Sequence, residues 1–189
     1  DFFTNEEFDA IGFPQIGPGK FAEGAATDDD RGRGALFDSD TLDYRFRVPS
    51  LLNVAETAPY GHSGSYATLR DAVAHYGDAE AQVQEYFNEG GWCQLEQYED
   101  MDNCPGLYPH AERNTAKARA KVLDENSTNR GMPQIELTNQ QIDQLVAFLQ
   151  TLTDPCIKDR QCIAHWIPAP QDAPDGHQLN AVNGKGKRL

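Results

Sequence analysis

Arg47, His62, His75 and Tyr76 are side chains with chemistry of their own, close together in the sequence. Imidazole nitrogen and phenol oxygen are donors to a redox metal, and a guanidinium matches a carboxylate. Neighbours on a helix point about 100° apart, so only one of His75 and Tyr76 can face a given ligand. Tyr76 shares the helical face of Leu69, Ala72 and Val73. That spacing also describes a buried aromatic with its hydroxyl hydrogen-bonded, so both readings of Tyr76 stand. His62 lies in Tyr60-Gly61-His62-Ser63-Gly64, a loop that suits gating or proton shuttling and equally suits a plain exposed histidine. Gly61-His62-Ser63-Gly64 is not the Gly-x-Ser-x-Gly elbow of a hydrolase. His110, His165 and His177 carry no spacing signal.

The elements that position these residues are mostly helical. Thr68, with Asp71 three residues on, caps a helix that ends at Gly77. Thr138-Asn139-Gln140-Gln141 is a capping box opening an amphipathic helix through Ile142, Leu145, Val146, Phe148 and Leu149, broken at Pro155. Thr115 to Leu123 is helical by propensity. Thr4-Asn5-Glu6-Glu7 predicts a short helix towards Ile11. Gly, Pro and Asp make Phe13 to Asp40 a loop, with Asp28 to Arg33 read as a solvated charge run because EF-hand spacing is absent. Pro49 speaks against a continuous strand over Phe46 to Val54. Residues 78–114 read as an irregular excursion carrying Tyr86, Phe87, Trp92, Tyr98 and Tyr108.

Across 189 residues the formal charge is −14, which excludes a nucleic-acid partner and suits a soluble protein or one that attracts a basic partner. No apolar run reaches the roughly 18 to 20 residues of a membrane span. No secretory leader is read at Asp1-Phe2-Phe3-Thr4, as in a mature exported protein or a fragment of one. Cys93 with Cys104 and Cys156 with Cys162 lack zinc or redox spacing. Sequential disulfides in an oxidising compartment are the favoured arrangement, since each pair closes a small loop.

The run from Phe46 to Tyr76, FRVPSLLNVAETAPYGHSGSYATLRDAVAHY, followed by LTNQQIDQLVAFLQTLTDP, resembles the C-terminal half of the bacterial di-haem cytochrome c peroxidases and their MauG-like relatives. The resemblance runs from about Phe2 to Trp166 and is densest at 46–76 and 138–152. It implies a mainly α, cytochrome c-like helical domain over residues 1–166, loop-rich with few or no strands, and an extended or disordered tail over 167–189.

The resemblance also implies a site. The distal axial ligand of the second haem falls on Tyr76, with His75 as the alternative; ordinary di-haem peroxidases have Met there. Phenolate is a harder, anionic donor that favours ferric and higher-valent iron, so such a haem stores oxidising equivalents. Arg47 falls at the haem edge, where it pairs with a propionate unless it makes a surface salt bridge, and His62 falls near the haem face. The main-chain carbonyls of Thr57 and Pro59 match positions that bind calcium between two haem domains, the remaining ligand coming from the other half. Met101 and Met132 lie outside the resembling core.

No Cys-x-x-Cys-His occurs, although that motif attaches haem c and supplies its proximal ligand. In the family it precedes a segment like FFTNEEFDAIGFPQIGPGK, so the anchor is expected on another segment or subunit. Cleavage, separate genes and loss are the three explanations. The implied activity is that of a periplasmic peroxidase or MauG-like oxidase of which this chain is part and which it does not perform alone. It reduces hydrogen peroxide to water or uses it to oxidise a protein side chain, and Tyr76 favours the second. The implied partners are an N-terminal haem-bearing segment or subunit and a small electron-donor protein or protein substrate. A haem-free binding or structural module derived from the family is the alternative.

Overall fold

The computed structural model describes residues 3–19, 28–123 and 135–172, in two compact units, Asp1–Leu152 and Thr153–Leu189. Met132, His177 and the tail beyond 172 lie outside the described residues. The molecule is mainly helical and loop-rich. Its one described sheet pairs β1 (Phe8–Ala10) antiparallel with β2 (Arg45–Arg47), in the register Phe8↔Arg47, Asp9↔Phe46, Ala10↔Arg45.

β1 replaces the expected N-terminal helix. Thr4 Oγ1 accepts from the Glu6 N–H as a local turn would, but its own hydroxyl donates to the Val48 carbonyl. The Val48 N–H in turn donates to the Glu7 carbonyl at 2.9 Å. A helix of two turns nucleates poorly, and the long-range strand pair offers its backbone groups partners instead. Within the expected loop of residues 13–40 the chain forms α1 (Arg33–Phe37).

α2 (Leu69–Gly77) is capped as its sequence predicts, Thr68 accepting from the Asp71 N–H. Asp78 closes α2 through its backbone N–H, which donates to Ala74, and opens α3 (Ala79–Asn88) by accepting from Ala81. This single residue turns the expected irregular excursion into a second helix directly after the first. α4 spans Ala111–Leu123, starting before Thr115, and α5 spans Asn139–Thr151 behind the complete Thr138/Gln141 capping box. No described helix is long and apolar enough to cross a membrane.

The core is formed by three adjoining clusters. Tyr60, Tyr66, Ala72 and Tyr86 bury the outer face of α2 against α3, and Val73, Ala74 and Ile142 join α2 to α5. Trp92, Leu95, Cys104 and Ala111 fill the segment between α3 and α4. The Cys93–Cys104 disulfide closes that segment. The second unit is short turns and α6 (Arg160–Ile163), closed by Cys156–Cys162, so both expected pairings form. Asp154 and Asp159 each cap its turns by accepting a backbone N–H two residues on.

Candidate functional site

A cavity of about 1010 Å³ opens between β1, β2, α2 and the loop after β2, at the upper end of the range for small-molecule sites. Its walls are chiefly apolar, with Phe13, Leu51, Val54, Leu69 and Val73 among them. Tyr76, His62 and Arg47 all line it, as do the proposed calcium donors Thr57 and Pro59. His75 and Met101 do not.

His75 and Tyr76 differ in their hydrogen bonds. His75 is wholly buried: its Nε2 donates to the Ile11 carbonyl and its Nδ1 accepts from the Tyr66 hydroxyl, each at 3.0 Å. Phe13 stacks on the ring at 4.3 Å between centroids. Both nitrogens are occupied, so the imidazole is a structural element, and burial lowers its pKa to about 4. Tyr76 is 40% exposed although helix α2 is otherwise buried there, because it borders the open cavity. Its hydroxyl makes no hydrogen bond among the described residues, and its pKa is raised by desolvation and then by the nearby charge of Asp9.

The His62 side chain is exposed yet contacts two neighbours. Its Nε2 lies 2.8 Å from Asp30 Oδ2, and its ring stacks on Phe46 with centroids 3.6 Å apart. Burial opposes ionisation of Asp30, but the His62 hydrogen bond, the Gly32 N–H and the His62 charge outweigh it and hold the carboxyl below its ordinary value. Gly61 positions this loop at φ +88°, where a Cβ would stand 3.2 Å from both Phe13 and Ser65 Oγ. The acidic run preceding α1 is thus not merely solvated: Asp29 takes hydrogen bonds from Tyr44 and Lys117, and Arg31 bridges Asp40 and Asp43.

Arginines mark one side of the cavity. Arg47 is exposed and makes no ion pair among the described residues. Arg45 is buried one residue pair along β2. Arg33, from α1, lies over the Phe8 ring at 4.1 Å, and its Nε is buried without a partner. An orphaned buried N–H donor, with Arg47 also lining the cavity, fits a ligand carrying carboxylates. Sequence reasoning found Arg47 alone. Arg45 was readable from the Arg-Phe-Arg alternation of β2; Arg33 had no local signal, since only the fold brings α1 to the cavity. Among the described residues no group of three or more His, Cys, Asp or Glu side chains is placed to hold a metal ion. Main-chain carbonyls at Thr57 and Pro59 are a different kind of donor set.

A large, chiefly apolar cavity with arginines and a phenol in its wall suits a hydrophobic ligand that carries carboxylates. Its sequence is 31% identical over 158 residues to the methylamine utilization protein MauG of Paracoccus denitrificans, covering 80% of this chain and 35% of that protein. It is 49% identical over 51 residues to the cytochrome c551 peroxidase of Pseudomonas aeruginosa, covering 27% of this chain and 15% of the peroxidase. The chain is therefore a relative of the MauG and di-haem cytochrome c peroxidase family, and it spans about a third of the MauG protein it matches. No family model and no solved structure matches the chain significantly.

Proposed function

We propose that this chain supplies the distal side of a haem c site in a periplasmic, hydrogen peroxide-dependent di-haem oxidase, with Tyr76 as the axial oxygen donor. The observation that carries the reading is that Tyr76 borders the cavity with an unengaged hydroxyl, while both nitrogens of His75 are committed elsewhere. The covalent anchor and proximal ligand come from a haem-bearing segment or subunit outside this chain.

Haem iron, when bound, supplies the redox chemistry with peroxide. The residues here do the rest. Apolar walls would exclude water from the macrocycle, and Arg33 and Arg47 would pair with its propionates. Tyr76 would hold the iron through its phenol oxygen; burial and the nearby Asp9 charge favour the protonated hydroxyl, and a bound metal cation would favour the phenolate instead. A phenolate donor favours the oxidised states, so with haem bound this half would store or pass oxidising equivalents rather than relay electrons at high potential. The His62–Asp30 pair holds a proton at the cavity wall. Carbonyls of Thr57 and Pro59 would contribute to a calcium site, hard oxygen donors suiting that cation. Peroxide-driven oxidation of a protein side chain is the favoured reaction, with reduction of peroxide by a small electron-donor protein as its variant.

The test is the ferric absorption spectrum of the full-length, haem-loaded protein beside Tyr76→Phe. Loss of a phenolate-to-iron charge-transfer band and a changed spin state are expected. An unchanged spectrum removes Tyr76 from the coordination sphere.

A further inference from the structure

Phe13 joins the two neighbours of the α2 pair. Its ring stacks flat on His75, with centroids 4.3 Å apart and planes at 12°. The same ring meets Tyr76 edge-on, at 5.9 Å and 77°, and it lines the cavity. Tyr66 meets it edge-on as well, at 5.5 Å.

The turn that carries Phe13 is clamped by three elements. From α2, His75 Nε2 donates to the Ile11 carbonyl at 3.0 Å, and the Tyr66 hydroxyl holds the other nitrogen of that ring. From the loop before α2, the Ser63 hydroxyl donates to the Pro14 carbonyl at 2.9 Å. From α4, the Thr115 hydroxyl accepts from the Gln15 N–H at 2.8 Å and itself donates to the Ala111 carbonyl. Gly12 has φ +71°, and a Cβ there would stand 3.4 Å from the Arg119 backbone, so the turn lies directly against α4. Tyr76 has no comparable anchor: its hydroxyl makes no hydrogen bond among the described residues and its ring borders open space. A phenol oxygen lies far from its Cα, so a change of side-chain rotamer moves it by more than a metal–oxygen bond tolerates.

We propose that Phe13 is a positioning residue for Tyr76: held flat against His75, it fixes the phenol ring in the orientation that presents its oxygen to the cavity. The inference rests on the reading of Tyr76 as the axial donor and deepens it by naming what preorganises that donor. Aromatic pairs prefer edge-to-face geometry beyond the area they bury, a preference that an aliphatic side chain of similar size lacks. His75 then has a use without touching iron. Its two hydrogen bonds make the imidazole a fixed shelf for Phe13.

The experiment compares the full-length, haem-loaded protein with Phe13→Leu, which keeps an apolar side chain and loses the flat ring. Val146→Ala is the control, since it loosens the packing of α5 on α2 without lining the cavity. The ferric EPR spectrum, the phenolate-to-iron charge-transfer band and the thermal midpoint are read for each. In Phe13→Leu the fraction of haem carrying the band should fall on the order of tenfold, as when a partner that orients a metal ligand is lost, and a second ferric EPR species should appear. Val146→Ala should lower the thermal midpoint and keep the wild-type band and line shape. A Phe13→Leu spectrum equal to wild type overturns the positioning and leaves Tyr76 standing as the donor. Equal loss of the band in Val146→Ala also overturns it, because the effect is then general loosening. A wild-type spectrum without the band, or one that Tyr76→Phe leaves unchanged, removes the axial-donor reading and this inference with it. If Phe13→Leu is not recovered folded, Phe13→Met takes its place with the same expected spectrum. Failure of both to fold assigns Phe13 to the core and overturns the inference.

Discussion

The Tyr66 hydroxyl donates to His75 Nδ1 at 3.0 Å, and this contact fixes which neighbour of the α2 pair can turn to the cavity. With Nε2–H given to the Ile11 carbonyl, the imidazole is held as one neutral tautomer in a site with no exposure to water. Desolvation is the main reason its pKa falls from 6.5 to about 4, with the Arg119 charge adding to it against the Ile11 hydrogen bond. Below pH 6.5 the unfolded chain therefore takes up a proton that the folded chain refuses until about pH 4. The stability contributed by neutral His75 is complete above the unfolded value and drains away as pH falls between these limits. The total is on the order of 3 kcal/mol. Urea midpoints measured from pH 7 to 5 should decline, with the His75 ring resonances silent over the same range in NMR. A His75 resonance titrating near its ordinary value would refute this.

Tyr66→Phe removes the donor and leaves Nδ1 buried and unsatisfied. A stability loss of about 1–3 kcal/mol is expected, read by denaturant unfolding at pH 7. Because the ring remains, Phe13 and Tyr86 keep their contacts, so the loss belongs to the hydrogen bond.

Tyr76→Phe should behave oppositely. Its hydroxyl has no partner among the described residues and its ring is 40% exposed, so stability without haem should change by less than about 0.5 kcal/mol. A large spectral effect in the haem-loaded protein beside a negligible change in the thermal midpoint separates a ligand from a packing residue.

α2 and α5 were legible in the sequence because cap, apolar period and stop agree within one segment. β1 was not. Thr4 to Glu7 has the chemistry of a helix start, and the strand that outcompetes it lies far along the chain. α3 was hidden because Asp78 serves two helices at once, so the break at Gly77 looked like the end of order. At the site, the helical face nominated Tyr76 and left His75 as a rival; the hydrogen bonds that engage His75, from Tyr66 and to Ile11, are tertiary and left no local signal. His62 was read as a loose loop residue because its anchors, Asp30 and Phe46, come from separate segments. Arg33 carried no local pattern.

Gly61→Ala tests whether the His62 loop shapes the cavity. The position has φ +88°, disfavoured for any residue with a Cβ, and that atom would press on Phe13, which also stacks on His75. A loss of about 1–2 kcal/mol is expected, together with a shifted His62 resonance. Wild-type stability in this variant would mean that the loop relaxes without cost.

The Cys93–Cys104 bridge acts through Trp92. The indole N–H donates to the Cys104 carbonyl at 3.0 Å, and Trp92, Leu95, Cys104 and Ala111 are buried together, so the crosslink and the ring hold each other in place. Opening a loop of this size releases chain entropy in the unfolded state equivalent to about 3 kcal/mol. Replacing both cysteines by serine should lower the denaturant midpoint accordingly and red-shift Trp92 emission as the indole meets water. Trp166 is 77% exposed and already reports solvent, so the shift is assigned by repeating the measurement in Trp166→Phe. Emission that stays blue while the midpoint drops would mean that the bridge stabilises the chain without organising the indole.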